Sequence, residues 1–352
     1  MTVTTTVATA TPMEYARLGK TGLRVSRICL GLMSFGRKGW NGWALEEEEA
    51  LPFIKTAHDL GINFFDTADV YSNGRSEEIL GKAIKKYNMD RGRIVVATKV
   101  FAPVLPGDHP ILWDSTQWPS NRELVNKYSL SRKHIFDAID ASLQRLGLDY
   151  IDLYQIHHED PETPIEETME ALNDLVRCGK VRYIGASNMS AWKFQKANNI
   201  AEKRGWAQFV SMQNMYNLLY RESEDELIPY SLDAGIGGIP WAPLAMGKLA
   251  GKDRQSSRQQ IDQFMSRDSL RESELLIVDR VFEVAEKKGA KPAQVALAWL
   301  LAQPYVTAPV LGVSKEEHVV DAVNALAIQL TAEEIKYLEE AYVPRPRLRL
   351  DK

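Results

Sequence analysis

Cysteine, excess charge of one sign and long apolar runs are all scarce in this sequence of 352 residues. The two cysteines, Cys29 and Cys178, are too few for a disulfide framework and lie in apolar or helix-like surroundings, so we expect reduced thiols. The 43 basic residues are balanced by 47 acidic ones, and no basic stripe is interleaved with aromatic side chains. These absences argue against a secreted disulfide scaffold and against nucleic-acid binding.

Segments that would direct the chain to a membrane are missing as well. No apolar run approaches the roughly 18 residues needed to cross a bilayer. Residues 1–12 have neither the basic start nor the continuous apolar core of a signal peptide. We therefore expect a cytoplasmic protein with no membrane partner, a disordered leader over residues 1–12 and a solvated basic tail over residues 343–352.

What the sequence does contain is a regular alternation of short β-rich runs and longer helix-patterned segments. A hairpin pattern over residues 14–26 precedes this alternation. The β-rich runs are 28–30, 63–66, 94–99, 151–157, 181–187, 209–214, 237–241 and 306–311. The helical segments are 45–60, 76–86, 131–146, 164–178, 190–204, 225–234, 273–288 with 292–302, and 315–326.

Several β-rich runs are apolar on both faces, as buried parallel strands are. About eight such units in series predict an α/β fold with a single (β/α)8 TIM barrel over residues 13–342 rather than two domains. Helix start signals support the helical segments. Ser131 precedes one of them, and Ser314 with Glu317 three residues later forms a capping-box pattern before another.

Three long segments interrupt the alternation, at residues 36–43, 101–130 and 242–272. Each follows a candidate strand, so in a parallel barrel all three lie at the C-terminal rim, where barrel active sites are built. The first two contain tryptophans that could line an apolar substrate pocket: Trp40, Trp43, Trp113 and Trp118. The alternative is that these are surface loops held in place by their own aromatic side chains.

Three unlike polar groups end consecutive predicted strands. Asp66 ends the second run, Lys99 the third and His157 the fourth, and Tyr71 follows Asp66 within one short loop. Each residue has an ordinary structural alternative, such as a turn cap, a solvated lysine or a core histidine. Their coincidence at equivalent strand ends predicts that they meet at one mouth of the barrel as a catalytic group.

These residues suggest a division of labour. A tyrosine with a pKa of about 10 is a weak acid, but an ammonium about 4 Å away stabilises its phenolate by roughly 4 kcal/mol at an effective dielectric near 20, before desolvation is subtracted. Lys99 is therefore predicted to make Tyr71 a usable acid, with Asp66 holding Lys99 and His157 orienting a carbonyl oxygen. This set donates a proton and lacks a nucleophile, which fits carbonyl reduction with hydride from a cofactor.

The motifs around these residues resemble the aldo-keto reductase superfamily. They include Asp66-Thr-Ala-Asp-Val-Tyr71, Ala97-Thr-Lys99, Pro240-Trp-Ala-Pro-Leu244 and the segments 76–82, 142–157 and 179–188, which cover nearly the whole chain in order. Within the superfamily, the chain resembles the branch that holds fungal aryl-alcohol dehydrogenase-like enzymes and potassium-channel β subunits. The resemblance implies a barrel closed at its base by an N-terminal hairpin, NADPH-dependent reduction of an aldehyde or ketone, and a catalytic tetrad of Asp66, Tyr71, Lys99 and His157.

The same resemblance implies a set of NADPH-binding residues. Lys315 or Arg258 could select the 2′-phosphate, since cations suit an anion site at a helix N-terminus. His318 and Ala322 depart from the family pattern, which usually has Gln and often Asn at these positions. The implied cofactor-binding residues are Ser187, Asn188, Gln213, Trp241, Pro243, Leu244, Gly247, Lys252, Gly312, Ser314, Lys315, His318 and Asp321.

Two other functions are open at this point. Asp66 with the adjacent His157 and His158 could bind a metal in a barrel hydrolase, although no His-x-His follows the first strand and Lys99 would repel a cation. We expect no metal. A protein that binds NADPH as a regulatory ligand and turns over slowly is the second alternative. The rim aromatics favour an apolar or aromatic carbonyl substrate, but neither its identity nor the oligomeric state follows from the sequence.

Overall fold

The computed structural model describes residues 11–110, 116, 118–251 and 270–345. Most of the predicted leader and tail therefore lies outside the described residues, as do Trp113, Lys252 and Arg258. Within the described ranges the strands are β1 (Tyr15–Arg17), β2 (Arg24–Ser26), β3 (Cys29–Gly31), β4 (Phe64–Asp66), β5 (Val95–Val100), β6 (Ile151–Ile156), β7 (Val181–Ser187), β8 (Phe209–Gln213), β9 (Gly237–Gly238) and β10 (Val310–Gly312).

The helices follow the predicted segments closely. In the described ranges they are α1 (Glu47–Asp59), α2 (Arg75–Lys86), α3 (Arg132–Leu146), α4 (Ile165–Arg177), α5 (Ala191–Arg204), α6 (Leu227–Ala234), α7 (Glu272–Lys288), α8 (Pro292–Leu301), α9 (Glu316–Asn324) and α10 (Ala332–Glu339). One of them, α10, was not predicted. Its signal was a capping box between Thr331 and Glu334, which the structure forms.

Strands β3 to β10 form one parallel eight-stranded sheet in the order β10-β3-β4-β5-β6-β7-β8-β9. Its two edges meet through parallel bridges from Gly238 to Val306 and from Trp241 to Val310. The Val310 amide donates to the Pro240 carbonyl at 2.8 Å across this seam. The sheet therefore curls into the predicted (β/α)8 barrel, and helices cover its outer face.

The base of the barrel is filled and closed. Alternate strand residues point inward, and Phe64, Val95 and Leu153 form an apolar layer with Leu18 from the hairpin loop. The amide of Lys20 donates to the carbonyl of Gly235 at 2.8 Å, which fixes the hairpin against the barrel. The antiparallel pairing of β1 with β2 confirms the predicted hairpin at the base. The polar groups are thereby left to the opposite end of the interior.

Some local predictions were wrong. The capping box at Ser314 does not form, because Lys315 occupies the cap position of α9 with extended backbone and no side-chain cap. The predicted strand over 237–241 is reduced to two residues, since Pro240 has no amide hydrogen to donate and the seam is completed through single bridges. The cap at Ser131 is confirmed, because its hydroxyl accepts from the His134 amide at 3.3 Å.

The described part of the basic tail does not match the expectation of a solvated segment. The Arg345 side chain is 17% exposed and contacts the carboxylate of Glu274, which is itself 1% exposed. The tail therefore packs against the N-terminal turn of α7 at this point. Among the described helices, none combines the length and apolar character that a bilayer crossing requires.

Candidate active site

The sheet register brings the predicted catalytic residues together above the apolar layer. Asp66 pairs with Ala97 across β4 and β5, and Lys99 pairs with Gln155 across β5 and β6. His157 follows β6 directly, and its amide donates to the Val100 carbonyl at 3.0 Å. Because inward-facing residues alternate along each strand, Asp66 and Lys99 occupy neighbouring positions in the barrel interior.

Lys99 is the centre of this cluster and is fully buried. Its ammonium donates to Asp66 Oδ2 at 2.5 Å, to the Thr67 carbonyl at 2.9 Å and to Tyr71 Oη at 3.3 Å. An ammonium has three hydrogens, so these bonds use all of them. The phenol oxygen of Tyr71 is therefore an acceptor toward Lys99, and its own proton is directed to another partner.

The backbone after Tyr71 is held in an unusual conformation. A short 3-10 turn spans Tyr71–Gly74, and Ser72 and Asn73 have φ angles of 48° and 52°. The Ser72 hydroxyl accepts from the Arg37 amide at 3.1 Å, and a Cβ added to Gly36 would lie 1.9 Å from that hydroxyl oxygen. Left-handed residues of this kind persist only where the surroundings enforce them. Here the contact of Ser72 with the backbone at Gly36 and Arg37 holds the turn that follows Tyr71.

Protonation in the cluster differs from the prediction in one respect. Burial raises the pKa of the Tyr71 phenol above its ordinary value, and Lys99 opposes this without reversing it. The expected net lowering of the phenol pKa was therefore wrong, because the desolvation of a buried phenolate outweighs the nearby ammonium. Burial alone would lower the pKa of Lys99, but Asp66 and Tyr71 raise it above its ordinary value. Tyr71 is a protonated phenol and Lys99 a charged ammonium at neutral pH.

His157 is a neutral imidazole at neutral pH. Burial, His158 and Lys99 together hold its pKa well below the ordinary value. Its ring meets Tyr71 edge to face, with centroids 5.6 Å apart. The Nδ1 atom is shielded from solvent and has no hydrogen-bond partner in the described part of the chain. A neutral imidazole beside the phenol can donate one hydrogen bond to an oxygen placed between them.

The predicted nicotinamide residues form a hydrogen-bonded group next to the tetrad. The Ser187 hydroxyl donates to the Gln213 carbonyl at 2.8 Å, and the Asn188 amide Nδ2 donates to the His157 carbonyl at 3.0 Å. Trp241 Nε1 donates to Asn188 Oδ1 at 2.9 Å, which fixes the indole. Asn188 has a φ of 50°, a conformation that Asn tolerates better than most residues. The strand ends of β7, β8 and β9 thus present a flat ring and amides beside His157.

The segment after Trp241 turns sharply. Ala242, Ala245 and Met246 have φ angles of 52°, 47° and 57°. Pro243 is buried, Leu244 is partly buried, and Gly247 is exposed at the end of the turn. These three predicted residues therefore lie in the turn that follows Trp241 in the chain. Lys252, which follows them, lies outside the described residues.

The predicted adenine end lies at the start of α9. Gly312, Ser314 and Lys315 are exposed there, and Lys315 Nζ lies 3.5 Å from Glu317 Oε1. Asp321 is held by Lys291, which donates to both carboxylate oxygens at 2.8 Å. Burial lowers the pKa of His318. A helix N-terminus with an exposed lysine suits a phosphate, although Glu316 and Glu317 in its first turn oppose an anion.

The three described tryptophans of the predicted substrate pocket lie in two aromatic groups that meet at Tyr71. Trp40 and Trp43 pack edge to face at 6.1 Å and belong to the apolar cluster that contains Tyr71. On the other side, ring contacts of 5.1 to 5.9 Å form a ladder. The ladder runs through Tyr71, His157, His158, Phe101, Trp118 and Tyr128. The structure therefore places Trp40 and Trp43 in the cluster of Tyr71 and connects Trp118 to Tyr71 through three intervening rings. The sequence reasoning missed His158, Phe101 and Tyr128 as neighbours of these tryptophans.

Two buried polar residues near the tetrad were also missed. Gln155 is fully buried and donates to Asp66 Oδ1 at 2.9 Å. Its signal was its position two residues before His157, because residues two apart on a strand share a face. Asp69 is 1% exposed, and its pKa is raised well above the ordinary value by burial and by Glu77. Its sequence position gave no such signal, since a turn aspartate is usually solvated.

No metal-binding cluster accompanies this site in the described ranges. Nowhere in these ranges do three or more His, Cys, Asp or Glu side chains lie close enough together to hold an ion. The ammonium of Lys99, 2.5 Å from Asp66, also occupies the position that a cation would take on that carboxylate. The described residues therefore offer no support for the barrel-hydrolase alternative.

Comparison with known proteins agrees with this geometry. The aldo/keto reductase family model matches residues 27–343. Versiconal hemiacetal acetate reductase of Aspergillus parasiticus is 50% identical over 339 residues, covering 95% of this chain and 98% of that protein. A protein of Schizosaccharomyces pombe that carries an aryl-alcohol dehydrogenase name is 45% identical over 349 residues, 97% of this chain and 99% of its own. An aldo-keto reductase of Fusarium vanettenii is 45% identical over 345 residues, which cover 96% of this chain and 93% of that protein.

Proposed function

The chain belongs to the aldo/keto reductase family and is an oxidoreductase that acts on carbonyl compounds, and from this premise we propose NADPH-dependent reduction of an apolar or aromatic aldehyde or ketone with Tyr71 as the proton donor. The observation that carries the proposal is the saturated Lys99 ammonium. It donates to Tyr71 Oη and so leaves the phenol proton free for a substrate oxygen.

Burial and charge suit Tyr71 to this role. Because burial raises its pKa, the phenol keeps its proton until a carbonyl oxygen becomes basic. The ammonium 3.3 Å away then stabilises the phenolate that is left, and Asp66 keeps that ammonium in place. An interaction that strengthens as charge develops accelerates the reaction rather than only binding the substrate.

His157 complements the phenol. Its neutral ring is held perpendicular to Tyr71, so an imidazole N–H and the phenol O–H can both point at one carbonyl oxygen. Two donors on one oxygen fix its position and polarise the carbonyl. In this proposal His157 orients the substrate and does not transfer a proton.

The residues around Trp241 fit a nicotinamide nucleotide. Such a cofactor, NADH or NADPH, is generally used by the family, and when bound it supplies a hydride to the carbonyl carbon. The partly exposed indole, fixed by Asn188, gives a flat apolar face for stacking. Ser187, Asn188 and Gln213 provide polar groups for a carboxamide. Lys315 is our candidate for the 2′-phosphate, because it is exposed at the start of α9.

The aromatic groups at the mouth support the substrate class. Trp40 is 3% exposed and Trp118 6% exposed, and both lie in contact groups that include or lead to Tyr71. Ring-lined sites with few polar groups favour apolar and aromatic ligands. We propose that an aromatic or bulky apolar aldehyde or ketone is preferred over a small polar one.

Replacement of Tyr71 tests the proposal. Tyr71→Phe removes the donor and keeps the ring, so we expect near-complete loss of aldehyde reduction with unchanged NADPH affinity. Turnover is followed by NADPH absorbance with a panel of aromatic and aliphatic carbonyls, and affinity by fluorescence titration. Tyr87→Phe, at the end of α2, is the matched control and should reduce at the wild-type rate. Retained turnover in Tyr71→Phe would remove Tyr71 from the donor role.

The same panel separates the enzyme from a nucleotide-binding regulatory protein. If the wild-type protein binds NADPH tightly and reduces no carbonyl compound, the regulatory alternative replaces the enzyme proposal. A preference for aromatic over aliphatic aldehydes in kcat/KM supports the substrate class. Equal use of NADH and NADPH would contradict a role for Lys315 in reading the 2′-phosphate.

A further inference from the structure

Two buried glutamine amides contact the Asp66 carboxylate from inside the barrel. Asp66 Oδ2 is taken by Lys99, whereas Asp66 Oδ1 accepts from Gln155 Nε2 at 2.9 Å and from Gln213 Nε2 at 3.0 Å. Gln155 is fully buried and Gln213 is 3% exposed. The carboxylate therefore has donors on both oxygens, contributed by three different strands.

The barrel is shaped to let Gln155 reach Asp66. In the sheet, Gln155 lies between Lys99 on β5 and Gly185 on β7. A Cβ added to Gly185 would lie 2.4 Å from Ser211 Oγ and 3.2 Å from Gln155 Cγ. Any larger residue at 185 would displace Gln155 or Ser211. The absence of a side chain there gives the Gln155 carboxamide its path across the interior.

The two glutamines have different surroundings. Gln213 ends β8 next to Ser187 and Asn188, where the proposed cofactor would lie. Gln155 lies deeper, in β6 and two residues before His157, and contacts Asp66 and Gln213. A carboxamide that engages Gln213 competes for the amide that now donates to Asp66. Gln155 has no such competitor.

We propose that Gln155 is a positioning residue for this reaction: its carboxamide holds Asp66 in the orientation that aims Lys99 at Tyr71, including when Gln213 is engaged by a nucleotide. The inference rests on the proposed function. Gln155 acts through Asp66 and Lys99 and touches neither substrate nor cofactor. An oriented carboxylate keeps the ammonium directed at the phenol, which is the contact that stabilises the phenolate.

Several charged or titratable groups face this carboxylate and must be considered in any pH measurement. Lys99 approaches from β5, Tyr71 from the loop after β4, and Cys29 from β3, where burial and Asp66 raise the thiol pKa well above its ordinary value. His157 follows Gln155 on the same strand, and its own pKa is lowered by burial and by Lys99. The Gln155 and Gln303 variants below leave all four unchanged, and a separate Lys99→Met variant serves only to assign an NMR signal.

Two substitutions of Gln155 separate hydrogen bonding from packing. Gln155→Met keeps the length of the side chain and removes the donor. Gln155→Glu restores a donor only in its protonated form and places a second negative charge beside Asp66 when it ionises. Gln303→Leu, outside the barrel interior, is the control for loss of a partly buried amide. Three properties are measured for each variant: the affinity for NADP(H), kcat and KM as functions of pH, and the hydrogen exchange of the Lys99 ammonium. The exchange is read from the ¹⁵N signal of that ammonium, which is assigned by its loss in Lys99→Met.

The proposal predicts a split between binding and turnover. In Gln155→Met we expect nucleotide affinity and KM within about twofold of wild type, with kcat lower by about tenfold or more. Without nucleotide, the Lys99 ammonium of Gln155→Met should exchange its hydrogens faster than that of wild type, because Asp66 is held less firmly. Gln155→Glu should recover turnover as the pH falls, since the protonated acid donates to Asp66 again. Gln303→Leu should match wild type in every measurement.

Other outcomes would overturn the assignment. Wild-type kcat, pH profile and ammonium exchange in Gln155→Met would show that the amide only fills space, even if the melting temperature falls. A Gln155→Glu profile with no recovery at low pH would contradict the donor role. If the wild-type protein reduces no carbonyl, the proposed function fails separately. The ammonium exchange of nucleotide-free Gln155→Met, or of Gln155→Glu if the first variant does not fold, then decides the role of Gln155.

Discussion

At the residue scale, the site contains a buried ion pair whose desolvation cost is offset by hydrogen bonds. Asp66 is 2% exposed and Lys99 is fully buried, and each would be costly to bury alone. The amides of Gln155 and Gln213, the Thr67 carbonyl and the Tyr71 phenol satisfy the remaining donors and acceptors. Removing one partner of such a pair typically destabilises a protein by about 3–5 kcal/mol, whereas well-packed apolar residues in place of the whole pair are often at least as stable. Stability alone therefore does not explain why this pair is buried here.

A buried histidine outside the site should lower the stability of the protein in acid. His134 in α3 is 6% exposed, and burial lowers its pKa from 6.5 to about 4. The unfolded chain therefore binds a proton first as the pH falls. The stability contributed by neutral His134 is present above about pH 6.5 and is lost as the pH falls toward 4, by up to about 3 kcal/mol.

His134→Gln should remove this part of the acid sensitivity. We expect the free energy of unfolding of the variant, measured by urea denaturation, to fall less than that of wild type between about pH 6.5 and 4. His58→Gln, on the partly exposed side of α1, controls for the loss of an imidazole. Parallel pH profiles for the His134 variant and wild type would mean that other groups govern acid unfolding.

At the element scale, α2 and α3 pack so closely that one position between them excludes a side chain. Gly81 lies inside α2, where glycine costs about 1 kcal/mol relative to alanine. A Cβ at this position would lie 2.3 Å from the Leu146 carbonyl oxygen at the end of α3. The close approach of the two backbones thus explains a residue that weakens its own helix.

Gly81→Ala tests this packing. Helix propensity alone predicts that alanine stabilises α2. The clash with the Leu146 carbonyl should outweigh this gain and destabilise the protein by about 1–3 kcal/mol. The measurement is the change in denaturation midpoint. Lys85→Ala, exposed on the same helix, should stay within about 0.5 kcal/mol of wild type. A more stable Gly81→Ala protein would show that the helices can move apart at little cost.

At the scale of the whole molecule, the C-terminal segment joins parts of the chain that are distant in sequence. Arg345 contacts Glu274 at the start of α7, and its amide donates to Glu222 Oε1 at 2.6 Å after β8. Tyr342 donates to the same Glu222 oxygen at 2.7 Å. Although burial opposes it, pairing with Arg345 and Arg271 lowers the pKa of Glu274. The segment therefore connects the loop after β8 to the first turn of α7.

Arg345→Ala tests how much this connection contributes to the free energy of unfolding. Glu274 keeps Arg271 but loses one of its two guanidinium partners, so we expect a loss of about 1–3 kcal/mol at neutral pH that shrinks as the pH falls and Glu274 is protonated. A double-mutant cycle with Glu274→Gln gives the coupling energy. Arg177→Ala, exposed at the end of α4, is the control. Additive single effects would contradict a direct contribution from the pair.

The sequence by itself determined the barrel, the basal hairpin and the position of the tetrad. Alternating strand and helix patterns are local, and a residue at the end of a parallel strand lies at the rim in any such barrel. This is why the sequence alone predicted that Asp66, Lys99 and His157 meet at one end of the barrel. Distances across the barrel are not local. Only the tertiary structure decided that Gln155 and Gln213 both reach Asp66, that the seam closes through single bridges, and that burial outweighs Lys99 in setting the Tyr71 pKa, because each depends on groups brought together from remote parts of the chain.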